Sequence, residues 1–346
     1  VHRALLLLLI LFLPAGCVSG PGSFEWASPV ADLVWPKPPD LPRIRYLRSV
    51  SGTPDAVPAG EDKVFLRWLT GEEERAVPLV SPYGVVADGQ GRIWVADPLA
   101  HRVAFFDLAR KKMTSLSQFG QVRLDSPLGL AFDPKRKRLY ISDPGLRAVV
   151  VVDPAGRLLG LWTDDLLQRP AGMAVDAEGR LYLADVLLGE VLVFSPEGTR
   201  LERIGSFLTE DGKFNRPANV AVDRDGTLFV VDSLNFRVEV ISAARESLGS
   251  IGELGDIPGR FARPRGIALD SDGHVYVADA AFGNIQIFDR QGRLLLFWGE
   301  PGQKPGQFSL PAGLYFDGRD RLYVVDAYNH RLQVFQYVRQ REVPKE

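Results

Sequence analysis

Six copies of one pattern, spaced 43 to 47 residues apart between Pro82 and Phe335, predict an all-β chain folded as a six-bladed β-propeller. A Pro-x-Gly or Pro-x-Asn opening recurs at Pro82, Pro127, Pro170, Pro217, Pro264 and Pro311. Each leads into a short apolar run ending at Asp88, Asp133, Asp176, Asp223, Asp270 or Asp317. A second apolar run follows a turn and ends at Asp97, Asp143, Asp185, Asp232, Asp279 or Asp326. Short runs rich in Val, Leu, Ile, Tyr and Phe, broken by Asp- and Gly-containing turns, read as antiparallel strands. One four-stranded meander cannot bury both of its faces. A radial ring of six does so and leaves no long sheet edge open.

In chain order, His2 and Arg3 precede ten apolar residues, Ala4 to Leu13, and then Pro14-Ala15-Gly16-Cys17. The run is too short to span a bilayer, so residues 1–16 read as a secretory signal peptide. Cys17 is the sole cysteine and cannot close an intramolecular disulfide. Its place directly after Ala-Gly resembles the lipobox of bacterial lipoproteins, with Pro14 standing where Leu is usual. The resemblance implies an acylated Cys17 as the mature amino terminus and a membrane anchor in the bacterial cell envelope. Val18 in place of Asp points to the outer membrane; a secreted or periplasmic protein is the alternative. At about 0.8 kcal/mol per buried CH₂, two or more acyl chains hold a protein stably. Pro21, Pro29, Pro36, Pro38, Pro39 and Pro42 make residues 17–43 a semi-rigid, Pro-rich tether.

Residues 44–337 form the predicted ring. In the third copy, Gly172 to Asp176, Leu181 to Ala184, Val191 to Phe194 and Arg200 to Ile204 supply four strands. The sixth copy has only three before the charged tail, residues 338–346. Upstream, Arg43 to Val50 (RIRYLRSV) resembles the fourth strands RLERIG (Arg200 to Gly205) and RLLLFWG (Arg293 to Gly299). The amino-terminal strand is therefore predicted to complete the last blade. Within an insertion at 53–80, Glu61 to Leu69 has an acidic first turn and apolar residues at helical spacing. It reads as a short amphipathic helix, packed on the ring or presented to a partner.

Trp-Asp dipeptides and Gly-Gly doublets are missing, which removes the WD40 and kelch signatures. The chain resembles the NHL repeat family instead. The marks are Pro-x-Gly-φ-Ala-x-Asp, a second-strand φ-Tyr-φ-Ala-Asp, and the box Asn329-His330-Arg331-Leu332-Gln333-Val334-Phe335. A linker of the form Ile-Gly…Gly…Phe…Pro adds to them, as in Ile251-Gly252, Gly259, Phe261 and Pro264. The resemblance covers residues 44–337 and implies the propeller. It leaves function open, because the family includes enzymes, RNA binders and protein scaffolds.

With 41 basic and 43 acidic residues the chain carries no footprint for nucleic acid. Outside the leader there are three histidines, His101, His274 and His330. None pairs with another at metal-ligand spacing, so no metal site and no cofactor is expected. The first set of Asp residues opens Asx turns, and the second set is expected to brace Arg102, Arg147, Arg237 and Arg331. Departures from the repeat carry more information. Glu190 and Asn284 replace the box Arg in the third and fifth copies, Asn219 replaces the opening Gly, and Arg265 is the one charge at the variable opening position. Asn219 resembles one member of the Glu, Asn and Asp set of calcium-dependent lactonase-type propellers. Amidating-lyase relatives need metal-binding histidines that this chain lacks.

The opening loops and the loops joining second to third strands are predicted to share one rim. It collects Tyr83, Leu99, Leu128, Leu146, Leu187, Leu188, Glu190, Asn219, Leu234, Phe236, Arg265, Phe282, Asn284 and Tyr328. Grouped apolar loop tips suggest an interaction surface, unless they fold back between blades. The sequence thus reads as a monomeric, membrane-tethered scaffold for an envelope protein or peptide. The alternative is a metal-dependent hydrolase or lyase with its site at the funnel centre.

Overall fold

A computed structural model describes residues 22–23, 33–51, 78–206, 209–210 and 212–339. The proposed signal peptide, Cys17, the insertion helix and most of the charged tail lie outside these residues.

Each repeat folds into a sheet whose strands follow chain order from the axis outward. Blade four shows the plan: Pro217–Val222, Leu228–Asp232, Arg237–Ile241 and Ser247–Ile251, each antiparallel to the next. Blade six consists of Pro311–Phe316, Arg321–Asp326 and Arg331–Tyr337, and its fourth strand is Ile44–Val50. The register sets Leu332 opposite Val50 and Tyr337 opposite Ile44, so the amino-terminal strand closes the ring as expected. Two short pieces of the preceding segment add further edges. Val34–Trp35 pairs with Ile44–Val50, and Gly22–Ser23 pairs with Lys112–Leu116, the fourth strand of blade one. Trp35, within the stretch read as a tether, has its ring 5.9 Å from Phe335 and 6.3 Å from Trp298.

The core is divided into six clusters, one between each pair of neighbouring blades. Side chains alternate across a strand, so a strand between two interfaces must be apolar on both faces. In blade four, Leu228 and Val230 pack toward blade three, whereas Phe229 and Val231 pack toward blade five. This is why the second strands read as unbroken apolar runs in the sequence. Fourth strands alternate instead between half-buried and exposed residues, as in Leu158–Thr163.

The innermost strands approach closely at the opening glycines. A Cβ on Gly129 would lie 2.0 Å from the Ala171 carbonyl oxygen, and one on Gly266 would lie 1.9 Å from that of Ala312. Ser142 Oγ fills the gap between blades two and three, accepting from Gly129 N–H at 2.8 Å and donating to the Ala171 carbonyl at 2.6 Å. The five opening glycines are therefore packing requirements of their blades, and only blade four accommodates a side chain, that of Asn219, at this position.

Candidate functional site

Opening loops, second-to-third-strand loops and interblade linkers all emerge on one face. The six second-set carboxylates, Asp97, Asp143, Asp185, Asp232, Asp279 and Asp326, are fully buried beneath it. Each accepts hydrogen bonds from the backbone of its own blade's opening segment. Asp279 takes Ala262 N–H at 2.7 Å, and Asp185 takes Gln168 N–H at 2.8 Å. Asp279 also accepts from Ala281 and Phe282 N–H, and Asp185 from Leu187 and Leu188 N–H. One carboxylate thus staples both loops that build the rim, a role the sequence reading missed. The expected Asp–Arg brace forms at Asp97–Arg102 (3.0 Å), Asp232–Arg237 (3.4 Å) and Asp326–Arg331 (2.7 Å). Arg147 departs from it, its Nε donating to the Leu167 carbonyl at 2.8 Å. Burial pushes the Asp232 and Glu239 carboxyls up from the ordinary range, with Arg237 opposing the shift in both.

Three of the second-to-third-strand loops are 3₁₀ turns, Pro98–Ala100, Ser233–Asn235 and Ala327–Asn329. They end in left-handed residues, His101, Phe236 and His330. His330 Nδ1–H donates to the Val80 carbonyl at 2.7 Å, and His101 bonds the Asp125 carbonyl in the same way. These two histidines clip one blade to the opening loop of the next. His274 is elsewhere, on the opposite face, 2.8 Å from Asp270.

The rim residues divide into three groups. Leu99, Leu187, Leu234 and Tyr328 are exposed, Leu99 and Tyr328 by about two-thirds or more of their surface (70% and 68%). Tyr83, Leu128, Leu146, Asn219, Phe236, Arg265, Phe282 and Asn284 are partly buried. Of these, Tyr83, Leu146 and Phe236 pack against interblade clusters. Leu188 and Glu190 are buried and do not present themselves to the rim. Leu188 belongs to the cluster between blades two and three. Glu190 holds Arg203 of the neighbouring strand in a bidentate pair, at 2.7 Å for both bonds. Asn284 Oδ1 is buried with no hydrogen-bond partner among the described residues.

Three exposed apolar residues join the rim that the sequence reading passed over: Leu254 and Ile257 in the linker into blade five, and Leu310 before Pro311. The linker is held in place. Gln286 Oε1 accepts from Gly259 N–H at 2.7 Å, and its Nε2 donates to the Arg260 carbonyl at 2.8 Å. The signal was available as apolar residues inside the Ile-Gly…Phe…Pro linker.

The axis is a channel of about 220 Å³ lined by the first strands of all six blades. Val85, Leu130, Met173, Val220, Ile267 and Leu314 contribute apolar side chains; Asn219, Tyr83 and Tyr315 contribute polar ones. Burial, with Asp317 and Asp88 nearby, pushes the Tyr315 hydroxyl far above its usual range. On the opposite face a cavity of about 400 Å³ is bordered by Asp223, Asp225, Asp270, Asp272, Asp317 and Asp320. Those carboxylates are engaged locally. Asp270 accepts from the His274 backbone and from Tyr276 Oη, Asp317 pairs with Arg321, and Asp223 pairs with Arg290. Among the described residues no three His, Cys, Asp or Glu side chains are grouped to hold a metal ion. In particular, neither carboxylate nor imidazole joins Asn219 in the channel lining.

The NHL repeat family matches at residues 261–288 and 308–335. No curated protein matches the chain in sequence. Among solved structures, a structural genomics protein of unknown function from Bacteroides thetaiotaomicron aligns with a TM-score of 0.63 at 17% identity, covering 75% of this chain and 70% of that one. An auxiliary nutrient binding protein from the same organism aligns at 0.58 and 14%, covering 74% and 69%. Virginiamycin B lyase from Staphylococcus aureus aligns at 0.56 and 12%, covering 75% and 96%. At these identities the likeness is one of fold.

Proposed function

Since the chain is an NHL-repeat six-bladed β-propeller, we propose that it is a binding scaffold whose rim receives a protein or peptide partner in the bacterial cell envelope. The observation that carries this reading is the arc of exposed apolar tips, Leu99, Leu187, Leu234, Leu254, Ile257, Leu310 and Tyr328. Loop tips are ordinarily polar, and apolar ones grouped on a face mark an interaction surface. Here buried carboxylates hold the loops beneath them, so ordering them on binding costs little conformational entropy. The auxiliary nutrient binding protein among the fold neighbours supports the use of this architecture for binding.

The membrane anchor is the second part of the proposal. Cys17 carries the lipid and Pro-rich residues follow it, which keeps the ring beside the membrane. Two experiments test the two parts separately. A photo-crosslinking residue at Leu187, an exposed rim position, in cells, is expected to give a discrete adduct with an envelope protein. Leu99→Ser combined with Leu234→Ser and Tyr328→Ser should abolish that adduct. A missing adduct, or one the triple variant leaves intact, removes the scaffold reading. Labelled palmitate should enter the wild type and not Cys17→Ala; equal labelling of both removes the anchor.

A further inference from the structure

The variable opening position is filled by Tyr83, Leu128, Ala171, Ala218, Arg265 and Ala312, and of these Tyr83 lines the channel. Arg265 is the one charge in it, and it is partly buried. Its guanidinium reaches past blade six to lie 6.0 Å from the centre of the Tyr83 ring, and Tyr83 lines the channel. A cation over an aromatic face is held in position by the ring quadrupole while its N–H groups remain free to donate. Arg102, Arg237 and Arg331 each meet a carboxylate, but no described residue offers one to Arg265, nor any side-chain hydrogen bond. Its charge is poorly compensated: burial lowers the guanidinium's pKa, Tyr83 opposes that, and Arg263 adds repulsion.

Asn219 points the same way. Its Oδ1 accepts the N–H of Val220 at 2.9 Å, which leaves Nδ2 with two donors and no described partner at the channel wall. Below these donors the channel lining holds no acidic or basic side chain. At the far end, the first strands run out to Asp88, Asp133, Asp176, Asp223, Asp270 and Asp317. The axis therefore carries donors and a positive charge at one mouth and apolar walls in the middle, while each carboxylate at the other end is paired with an Arg or His. The uncompensated positive charge at the mouth orients an amphiphilic anion head-up, with its tail along the apolar walls.

We propose that the channel mouth binds a small organic monoanion, its carboxylate held by Arg265 and Asn219 and its apolar tail lying in the channel. An engineered cavity of about 150 Å³ accommodates benzene, so this one suits a ligand of roughly ten non-hydrogen atoms. The site is on the axis, separate from the apolar tips, and stands or falls independently of the partner proposed for them.

Isothermal titration of the Cys17→Ala chain with hexanoate and octanoate, their neutral amides and inorganic phosphate tests the assignment. The carboxylates are expected to bind at 1:1, with each amide weaker by at least about tenfold, the loss typical of one charge-assisted contact. Arg265→Met should weaken octanoate by at least about tenfold with little change in Tm, because no protein carboxylate is left unpaired. Arg265→Lys, which keeps the charge and loses the fork, should fall between the two. Wild-type protein that binds no carboxylate, or binds amide equally well, overturns the proposal. So does phosphate binding as tightly as octanoate, which would leave the tail without a role.

Discussion

Asp326→Ala is the sharpest test of how the rim is held. The carboxylate is fully buried and takes four donors: Ser309 N–H at 2.7 Å, Asn329 Nδ2 at 2.8 Å, Arg331 Nε at 2.7 Å and Gln333 Nε2 at 3.0 Å. Removing one partner of a buried ion pair costs about 3–5 kcal/mol, because the remaining charge is stranded. Arg331 keeps three carbonyl acceptors, those of Gln303, Lys304 and Gln307. That places the loss near the lower end, about 3 kcal/mol, or roughly a 6 °C drop in Tm for a chain of this size. Urea unfolding followed by tryptophan fluorescence measures it. A cycle with Arg331→Met should show coupling of about 1–3 kcal/mol between the two residues. If Asp326→Ala costs under about 0.5 kcal/mol, or if the cycle shows no coupling, the carboxylate is not the staple described here.

Two further outcomes follow from the same geometry. Asp270, 2.8 Å away, raises the His274 imidazole above its usual 6.5, against burial; Asp272 adds to the rise and Arg43 opposes it. A raised folded pKa gives stability that is complete below the unfolded pKa and lost as pH rises through the folded one. The Tm difference between wild type and His274→Gln should therefore be largest below about pH 6 and shrink through neutrality; a gap that is constant or grows with pH refutes the pairing. Gly129→Ala would set a Cβ against the Ala171 carbonyl and Ser142 Oγ and should cost about 1–3 kcal/mol by overpacking. Gly318→Ala, with nothing within 4 Å of the added carbon, is the matched control and should be neutral. Equal effects of the two substitutions would refute close packing of the inner strands.

Repetition made the fold legible. Six Pro-x-Gly or Pro-x-Asn openings and twelve Asp residues in register could be aligned with one another, and Arg43 to Val50 could be matched to strands it resembles. Leu99, Leu187, Leu234 and Tyr328 were legible as loop tips because their loops have fixed places in that pattern. Leu188 and Glu190 were not, because one step along a tight turn decides whether a side chain faces solvent or the next blade. The partner that draws Glu190 away is Arg203, on the adjacent strand. Leu254, Ile257 and Leu310 lie in interblade linkers, outside the two kinds of loop from which the sequence reading assembles the rim.

The sequence by itself determined the local terms: strand period, turn chemistry, the number of copies and the chain segment that completes the last one. Each is read from short stretches of the chain, the closing segment by its likeness to other fourth strands. The tertiary structure alone decided which side chains meet across the ring. Arg265 and Tyr83 are 182 positions apart in the sequence and come together because the amino-terminal strand closes the circle. The buried carboxylates, by contrast, act as staples within their own blades, joining two loops that the strand register brings together. Closure turns a row of six similar units into one axis with a distinct mouth, and no single repeat contains that information.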